Sequence, residues 1–292
     1  MHTLLVKKVL EVLGFDARLL NERLGGWSLK MALCGNGYNT LVQKLRGIVT
    51  DISDQESSTR DTFNNFWEFK RRVLQSFQCK LMLRALEYFS PGRIAVADIG
   101  DSAGTHMLYL RRLAGDEYDI DSLSVNVDPR AIKKIESRGL KAAHCRAEDL
   151  GVRGDKFDMI VSFQMVEHLH NPTIFFRRLA KMSVCNKLVI TVPYVKTSRM
   201  GLLYIRQDNS SETVFAEDVH VFELNPEDWS LLLLHSGWRV IYKKIYYQYP
   251  RNWPIISRIL RLYWRMVDYE GFLGVILEKD TSFSECYQDW ED

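Results

Sequence analysis

Ile94-Ala95-Val96-Ala97-Asp98-Ile99-Gly100-Asp101-Ser102-Ala103-Gly104-Thr105 is an apolar run that ends in an acid, two glycines and the start of a helical pattern. Ile94 to Ile99 carries β-branched residues with no polar side chain before Asp98, as a central parallel strand covered on both faces requires. Gly100 and Gly104 remove Cβ atoms where a backbone turns sharply or meets a ligand closely. The helical pattern from Thr105 to Leu113 sets the free N–H groups of a helix start beside that turn. A dinucleotide fingerprint needs Gly at the first, third and sixth positions. Counted from Gly100 these are Gly100, Ser102 and Thr105, so that reading fails. A P-loop fails too, because the turn has no lysine. The remaining pattern is acid-x-Gly-x-small-x-Gly, filled by Asp98, Gly100, Ser102 and Gly104, and an ordinary tight strand-to-helix turn has the same look.

Downstream of residue 93, strand patterns at Ile94–Ile99, Leu123–Val127, Ala142–Cys145, Phe157–Phe163, Lys187–Val192, Arg239–Tyr246 and Phe272–Leu277 alternate with helical patterns at 105–114, 129–138, 172–182 and 226–236. That alternation predicts a doubly wound, mainly parallel α/β sheet. Upstream there is no strand series. Leu4, Leu5, Val9, Leu10 and Leu13 fall at helical spacing, Gly25-Gly26 and Gly35-Asn36-Gly37 punctuate the next thirty residues, and Asp51–Ser58 reads as a polar loop. A long helical repeat then runs from Asp61 to Phe89 and stops at Ser90-Pro91-Gly92. We therefore divide the chain into an N-terminal helical appendage or lid (1–90) and a main domain (91–292).

The chain has 292 residues, 46% of them hydrophobic, and a net charge of +2, which gives no strong nucleic-acid signal. Five scattered cysteines form no CxxC pair, so reduced thiols and a cytoplasmic location are expected. The first fifteen residues are too short and too charged for a signal peptide or a membrane span.

Three further positions carry chemistry. Asp128 ends the second strand, 24 residues beyond Gly104 (128 − 104), where an acid can accept hydrogen bonds from ribose hydroxyls; Asp128-Pro129 is equally a helix N-cap. Ala147-Glu148-Asp149-Leu150 is an acidic loop after the third strand. Phe157-Asp158-Met159-Ile160-Val161-Ser162-Phe163-Gln164-Met165-Val166-Glu167-His168-Leu169-His170-Asn171-Pro172 runs a buried strand straight into Glu-His and a turn. The ends of parallel strands are where ligands bind, so Phe163 to His168 lies at the site. An imidazole there can take a hydroxyl proton near neutral pH, or be a histidine that only shapes a pocket. His170 reads as a surface residue.

The glycine turn resembles the first motif of the class I S-adenosylmethionine (SAM)-dependent methyltransferases, with Ser102 where the family usually has glycine. The Phe157–Pro172 string resembles the fourth motif of the group that includes ubiquinone-biosynthesis O-methyltransferases and many glycan or small-molecule O-methyltransferases. The resemblance implies a Rossmann-like seven-stranded sheet whose last strand is antiparallel, and SAM as the cofactor. It implies cofactor contacts from Asp98, Gly100, Asp101, Ser102, Gly104, Asp128, Ala147, Glu148, Asp149, Phe163, Gln164 and Met165. Arg146 stands where the family often places its adenine-side acid, so Glu148 or Asp149 would serve instead. His168 becomes the candidate general base, helped or replaced by His220, with Glu167 orienting the imidazole. Arg206 to Asp218, just before His220, reads as a lid.

Small-RNA 3′-end methyltransferases bind a divalent ion through Glu-x-x-Glu-His and a distant His. Here the first Glu is Gln164, a poor ligand for a hard cation, so no metal is expected at Glu167, His168 and His220. The reading is therefore O-methylation of a hydroxyl on a small molecule or glycan. Alternatives are an RNA 3′-terminal or quinone-pathway enzyme that uses a divalent metal, or a non-catalytic SAM-binding partner subunit. The aromatic and basic insertion 247–268 fits sugar, phosphate, nucleic-acid, partner or peripheral membrane contact, and equally a helix that only covers the sheet.

Overall fold

The computed structural model describes residues 16–53, 55, 63–146, 149–150, 156–181, 185–201 and 219–287. Strands β1 (Gly92–Ile99), β2 (Tyr118–Asn126), β3 (Lys141–His144), β4 (Met159–Phe163), β5 (Lys187–Pro193), β8 (Trp238–Tyr247) and β9 (Gly271–Lys279) form one sheet in the order β3-β2-β1-β4-β5-β9-β8. β9 is antiparallel to both β5 and β8, and the strands from β3 to β5 run parallel. This is the expected sheet, with its last strand inserted antiparallel. A two-residue ladder of β6 (Arg199–Met200) and β7 (Phe222–Glu223) stands apart from it.

The central strands are apolar on both faces because helices cover both. On one side lie Met82 and Ala85 of α3 (Asn65–Leu86), Met107 and Leu110 of α4 (Thr105–Leu113), and Ile135 of α5 (Pro129–Ser137). On the other lie Phe175 and Phe176 of α6 (Pro172–Lys181) and Trp229 and Leu233 of α7 (Pro226–His235). Asp158 joins β4 to β1, its backbone N–H donating to Ala95 O at 2.9 Å and its Oδ2 accepting Ala95 N–H at 2.8 Å.

The N-terminal helices α1 (Ala17–Asn36), α2 (Asn39–Ile48) and α3 share a core with the sheet's far end and with α8 (Pro254–Val267), through Leu29, Phe77, Tyr246, Leu260, Trp264 and Phe272. One expectation needs correction here. Gly25-Gly26 does not break the chain: α1 runs through both, because Gly25 lies where a Cβ would come 2.8 Å from the Tyr263 hydroxyl of α8. Asn39–Ile48, which showed no distinct signal, is a helix whose apolar side, Leu41, Val42 and Leu45, is buried. The apolar spacing of residues 4–13 falls outside the described residues, as does the segment 206–218.

Gly104, with φ +73°, is left-handed, and a Cβ there would lie 2.3 Å from Leu140 Cδ1; Gly115, φ +70°, has open space around it. Gly115→Ala should therefore cost only the backbone penalty, about 1–2 kcal/mol, and Gly104→Ala about 2–5 kcal/mol once overpacking is added. Urea denaturation of the two variants checks the difference; equal losses would show that Leu140 makes room freely.

Candidate active site

Strand order reverses at β1: β2 follows on one side and β4 on the other, which opens a crevice beyond their carboxyl ends. Asp98, in register with Val161 of β4, stands at that crevice. The turn after it is locked from within. Asp101 Oδ1 accepts the N–H groups of Ala103 and Gly104 at 3.0 and 2.7 Å, and Oδ2 accepts the Ser124 hydroxyl at 2.6 Å. Asn126 Nδ2 donates to Asp101 O at 2.8 Å. The Asp101 carboxylate thus shapes the turn, a structural use of a residue expected at the cofactor.

Asp98 is 1% exposed and its Oδ2 has no hydrogen-bond partner. His106 Nδ1 lies 3.6 Å from it, too far to satisfy it, while His106 Nε2 meets Gln78 Oε1 at 3.0 Å. Burial pushes the Asp98 carboxyl up to about 7, with nearby Asp101 adding to the rise and His106 opposing it. Beside Asp98, Gly100 and Ser102 is a cavity of about 70 Å³, bordered also by Gln55, His106 and Phe163. Gln55 spans from Gln75, whose Nε2 donates to it at 2.6 Å, to the Thr105 hydroxyl. Met165 lies against Gly100, where a Cβ would come 2.7 Å from its Cγ.

Around this centre the other expected residues divide. Phe163 ends β4 with its ring 4.7 Å from His106, edge to face. Gln164 comes next in a left-handed conformation, φ +54°, its backbone N–H donating to Thr191 O at 2.9 Å and its Nε2 to Thr191 Oγ1 at 3.2 Å. Such strain in a non-glycine residue collects at functional sites. Asp128 caps α5 through Arg130 N–H at 2.8 Å, and both its oxygens also meet the Arg130 guanidinium. Ala147 and Glu148 lie outside the described residues, and Asp149 is exposed on the adjoining turn. His170 is exposed.

A second cluster forms where the 3-10 turn Val166–His168 meets residues 219–223. Val221 N–H donates to Glu167 O at 2.8 Å, which docks the two segments. The rings of His168 and His220 stand edge to face at 4.7 Å. His168 Nδ1 lies 3.0 Å from Val219 O and must carry the hydrogen, so Nε2 is the basic nitrogen of the neutral ring. His220 Nδ1 lies 3.2 Å from Glu223 Oε1 and 2.8 Å from the Tyr269 hydroxyl, which itself donates to Glu223. Arg199 pairs with the other Glu223 oxygen.

The two glutamates differ sharply. Burial raises Glu223, but hydrogen bonds from His220, Tyr269 and Arg199 outweigh it and hold the carboxyl at about 2. Glu167 is 1% exposed, neither of its oxygens has a hydrogen-bond partner, and burial pushes it up to about 7 against the attraction of His220. Orientation of the imidazoles therefore falls to Val219 O and Glu223 rather than to Glu167. Ligand atoms of Glu167, His168 and His220 all lie within 4.8 Å of one another. Glu223, Tyr269, Gln55, Gln78 and His106 were not expected at the site. Glu223 alone had a local signal, its place three residues after His220.

Residues 97–184 match a family model described as a methyltransferase domain. A 90-residue stretch is 28% identical to ubiquinone biosynthesis O-methyltransferase of Bartonella tribocorum; the match takes in 30% of this chain and about a third (36%) of that relative's length. The fold is similar to a putative sarcosine dimethylglycine methyltransferase of Galdieria sulphuraria, with a TM-score of 0.52 and 13% identity over 83% of this chain and 99% of the other. It is also similar to magnesium protoporphyrin IX methyltransferase of Synechocystis PCC 6803, solved with bound S-adenosylhomocysteine, with a TM-score of 0.50 and 11% identity over 85% and 99%. Residues 97–184 are thus similar to a methyltransferase domain, carried on a fold similar to that of these two enzymes.

Proposed function

We propose that the protein methylates a hydroxyl group on a small molecule or glycan, with the histidine pair His168–His220 receiving the proton. The observation that carries this reading is that pair: two imidazoles in contact, each fixed through Nδ1, one of them on the turn that starts from Met165, the residue packed on Gly100. SAM, when bound, supplies a methyl group already activated on a sulfonium. The residues present fit it. Asp98 offers a buried carboxylate oxygen that nothing else satisfies, and Gly100 leaves the turn without a Cβ. Asp98 holds the positive end of the cofactor, and Phe163 and Met165 keep water from the reacting face. His168 Nε2 takes the acceptor's proton, while Val219 O keeps that ring in the required tautomer.

A second reading rests on Glu167. Its two buried oxygens lack partners, and with two imidazoles it makes a donor set that suits manganese, iron or zinc better than magnesium. The fixed Nδ1 contacts are those that metal-bound histidines usually make. A cation there would polarise the acceptor oxygen. Treatment with a chelator separates the readings: activity should persist, whereas loss with recovery on adding manganese or zinc would transfer the role to metal.

The geometry sets two more expected outcomes. His168→Ala should lower kcat by about 10²–10⁴-fold and leave affinity for S-adenosylhomocysteine, measured by calorimetry, within a few fold; unchanged turnover would remove His168 from proton transfer. Asp98 without ligand exchanges its proton near pH 7, and a cationic ligand selects the ionised form. Binding of S-adenosylhomocysteine, whose amino group keeps its charge, should therefore release a proton and weaken as pH falls below 7, by up to about tenfold per unit. Asp98→Asn should flatten that slope and weaken binding at pH 8 by about 10–100-fold. A wild-type affinity independent of pH between 5.5 and 8 would sink the assignment.

A further inference from the structure

Helix α8 is apolar on two opposite sides. Leu260 and Trp264 face the core, each 1% exposed. Ile255, Ile259 and Leu262, at spacings of four and three, share the outer face and are 77%, 62% and 61% exposed. Trp253, just before the helix, is 58% exposed. Buried leucine and tryptophan explain why this helix folds onto the sheet; among the described residues nothing buries the outer ridge.

Helix α1 lies alongside. The Tyr263 hydroxyl donates to Asn21 O at 2.9 Å, and Trp264 Nε1 donates to the Ser28 hydroxyl at 2.9 Å. α1 also turns apolar residues outward, Leu20 at 43% and Trp27 at 46% exposure, seven residues apart on one face. Both outer ridges point away from the core that the two helices share.

The stretch of chain that carries the α8 ridge bears charge of one sign. From Trp238 to Val267 the sequence contains no Asp or Glu, against Arg239, Lys243, Lys244, Arg251, Arg258, Arg261 and Arg265. The whole chain is nearly neutral at +2, so this is a local concentration. Arg239 is paired with Glu278, Lys243 with Glu227 and Arg265 with Glu270, and Arg251 lies 4.6 Å from the Tyr247 ring centre. Arg258 and Arg261 make no ion pair among the described residues. An exposed apolar ridge with a tryptophan at its end and unneutralised arginines beside it is the composition of a helix that lies in a membrane interface. With 14 residues it is too short to span a bilayer, and no described helix is long and apolar enough to do so.

We propose that the outer face of α8, widened by Leu20 and Trp27 of α1, docks the protein on the surface of an anionic lipid bilayer. The ridge inserts among the acyl chains, and Arg258 and Arg261 meet lipid phosphates. The helix leads through Asp268 directly to Tyr269 at the His220 cluster, so docking sets the active site next to the bilayer.

The test uses the full-length protein with vesicles of phosphatidylcholine alone and with 30% phosphatidylserine. Cosedimentation should occur with the anionic vesicles and fall sharply in 0.5 M salt. Ile259→Glu/Leu262→Glu should abolish it, and Arg258→Gln and Arg261→Gln should each weaken it about fivefold. All these side chains are exposed, so circular dichroism and melting should match wild type. No binding to either vesicle would overturn the proposal. So would wild-type binding by the double variant, or a wild-type dimer in light scattering that the double variant turns into monomer, which would show that a second copy covers the face. Because cosedimentation needs no cofactor or turnover, it stands or falls separately from the assigned chemistry.

Discussion

The reversal of strand order at β1 is the constraint on which the site depends. Neighbouring crossovers leave β1 and β4 in opposite directions, so no helix fills the space above their carboxyl ends. The chain places two ionisable groups there, Asp98 and Glu167, both 1% exposed and both with carboxyl oxygens that no described residue satisfies. Burying a polar group without a hydrogen bond is costly, and burying its charge more so. Both carboxyls respond by holding their protons up to about pH 7. Such a cost persists only where a ligand, proton or cation supplies the missing partner.

The N-terminal helices take part in the same arrangement. Helix α3 was legible from its apolar repeat, yet its polar residues matter as much. Gln75 holds Gln55, and Gln78 bridges Thr191 Oγ1 at 3.1 Å and His106 at 3.0 Å. One turn earlier Arg72, fully buried, donates to Leu45 O, Thr50 O, the Tyr109 hydroxyl and Glu68. That guanidinium ties α2, α3 and α4 together, so the segment carrying Gln55 is anchored a few residues from the glycine turn. Gln55 therefore walls the crevice, while helix α3 that holds it through Gln75 also covers the sheet.

How much the sequence disclosed depends on how far each signal reaches along the chain. β1, its turn and α4 were legible because apolar runs, glycines and helix starts act over a few residues. The Phe157–Pro172 string was legible for the same reason. Strand–helix alternation gave the mainly parallel sheet, while its antiparallel last strand was implied only by the family resemblance. Partners that meet through tertiary contact left no comparable trace: Tyr269 reaches His220 only because β9 returns beside β5, and His106 faces Asp98 only because α4 rises from the turn at that angle. Gly25-Gly26 misled because glycine serves equally as a helix breaker and as room for a neighbouring ring, and only the position of Tyr263 decides between them.

The two glutamates around the histidine pair explain how one cluster can hold both a fixed charge and a movable proton. Glu223 has three donors and stays ionised throughout the physiological range, so it fixes His220 and balances Arg199. Among the described residues Glu167 has no donor to its carboxyl, and burial holds its proton up to about pH 7. Had both carboxyls been bonded alike, the cluster would carry two permanent negative charges and serve only as a cation site. Leaving Glu167 bare keeps the cluster near neutral without a ligand.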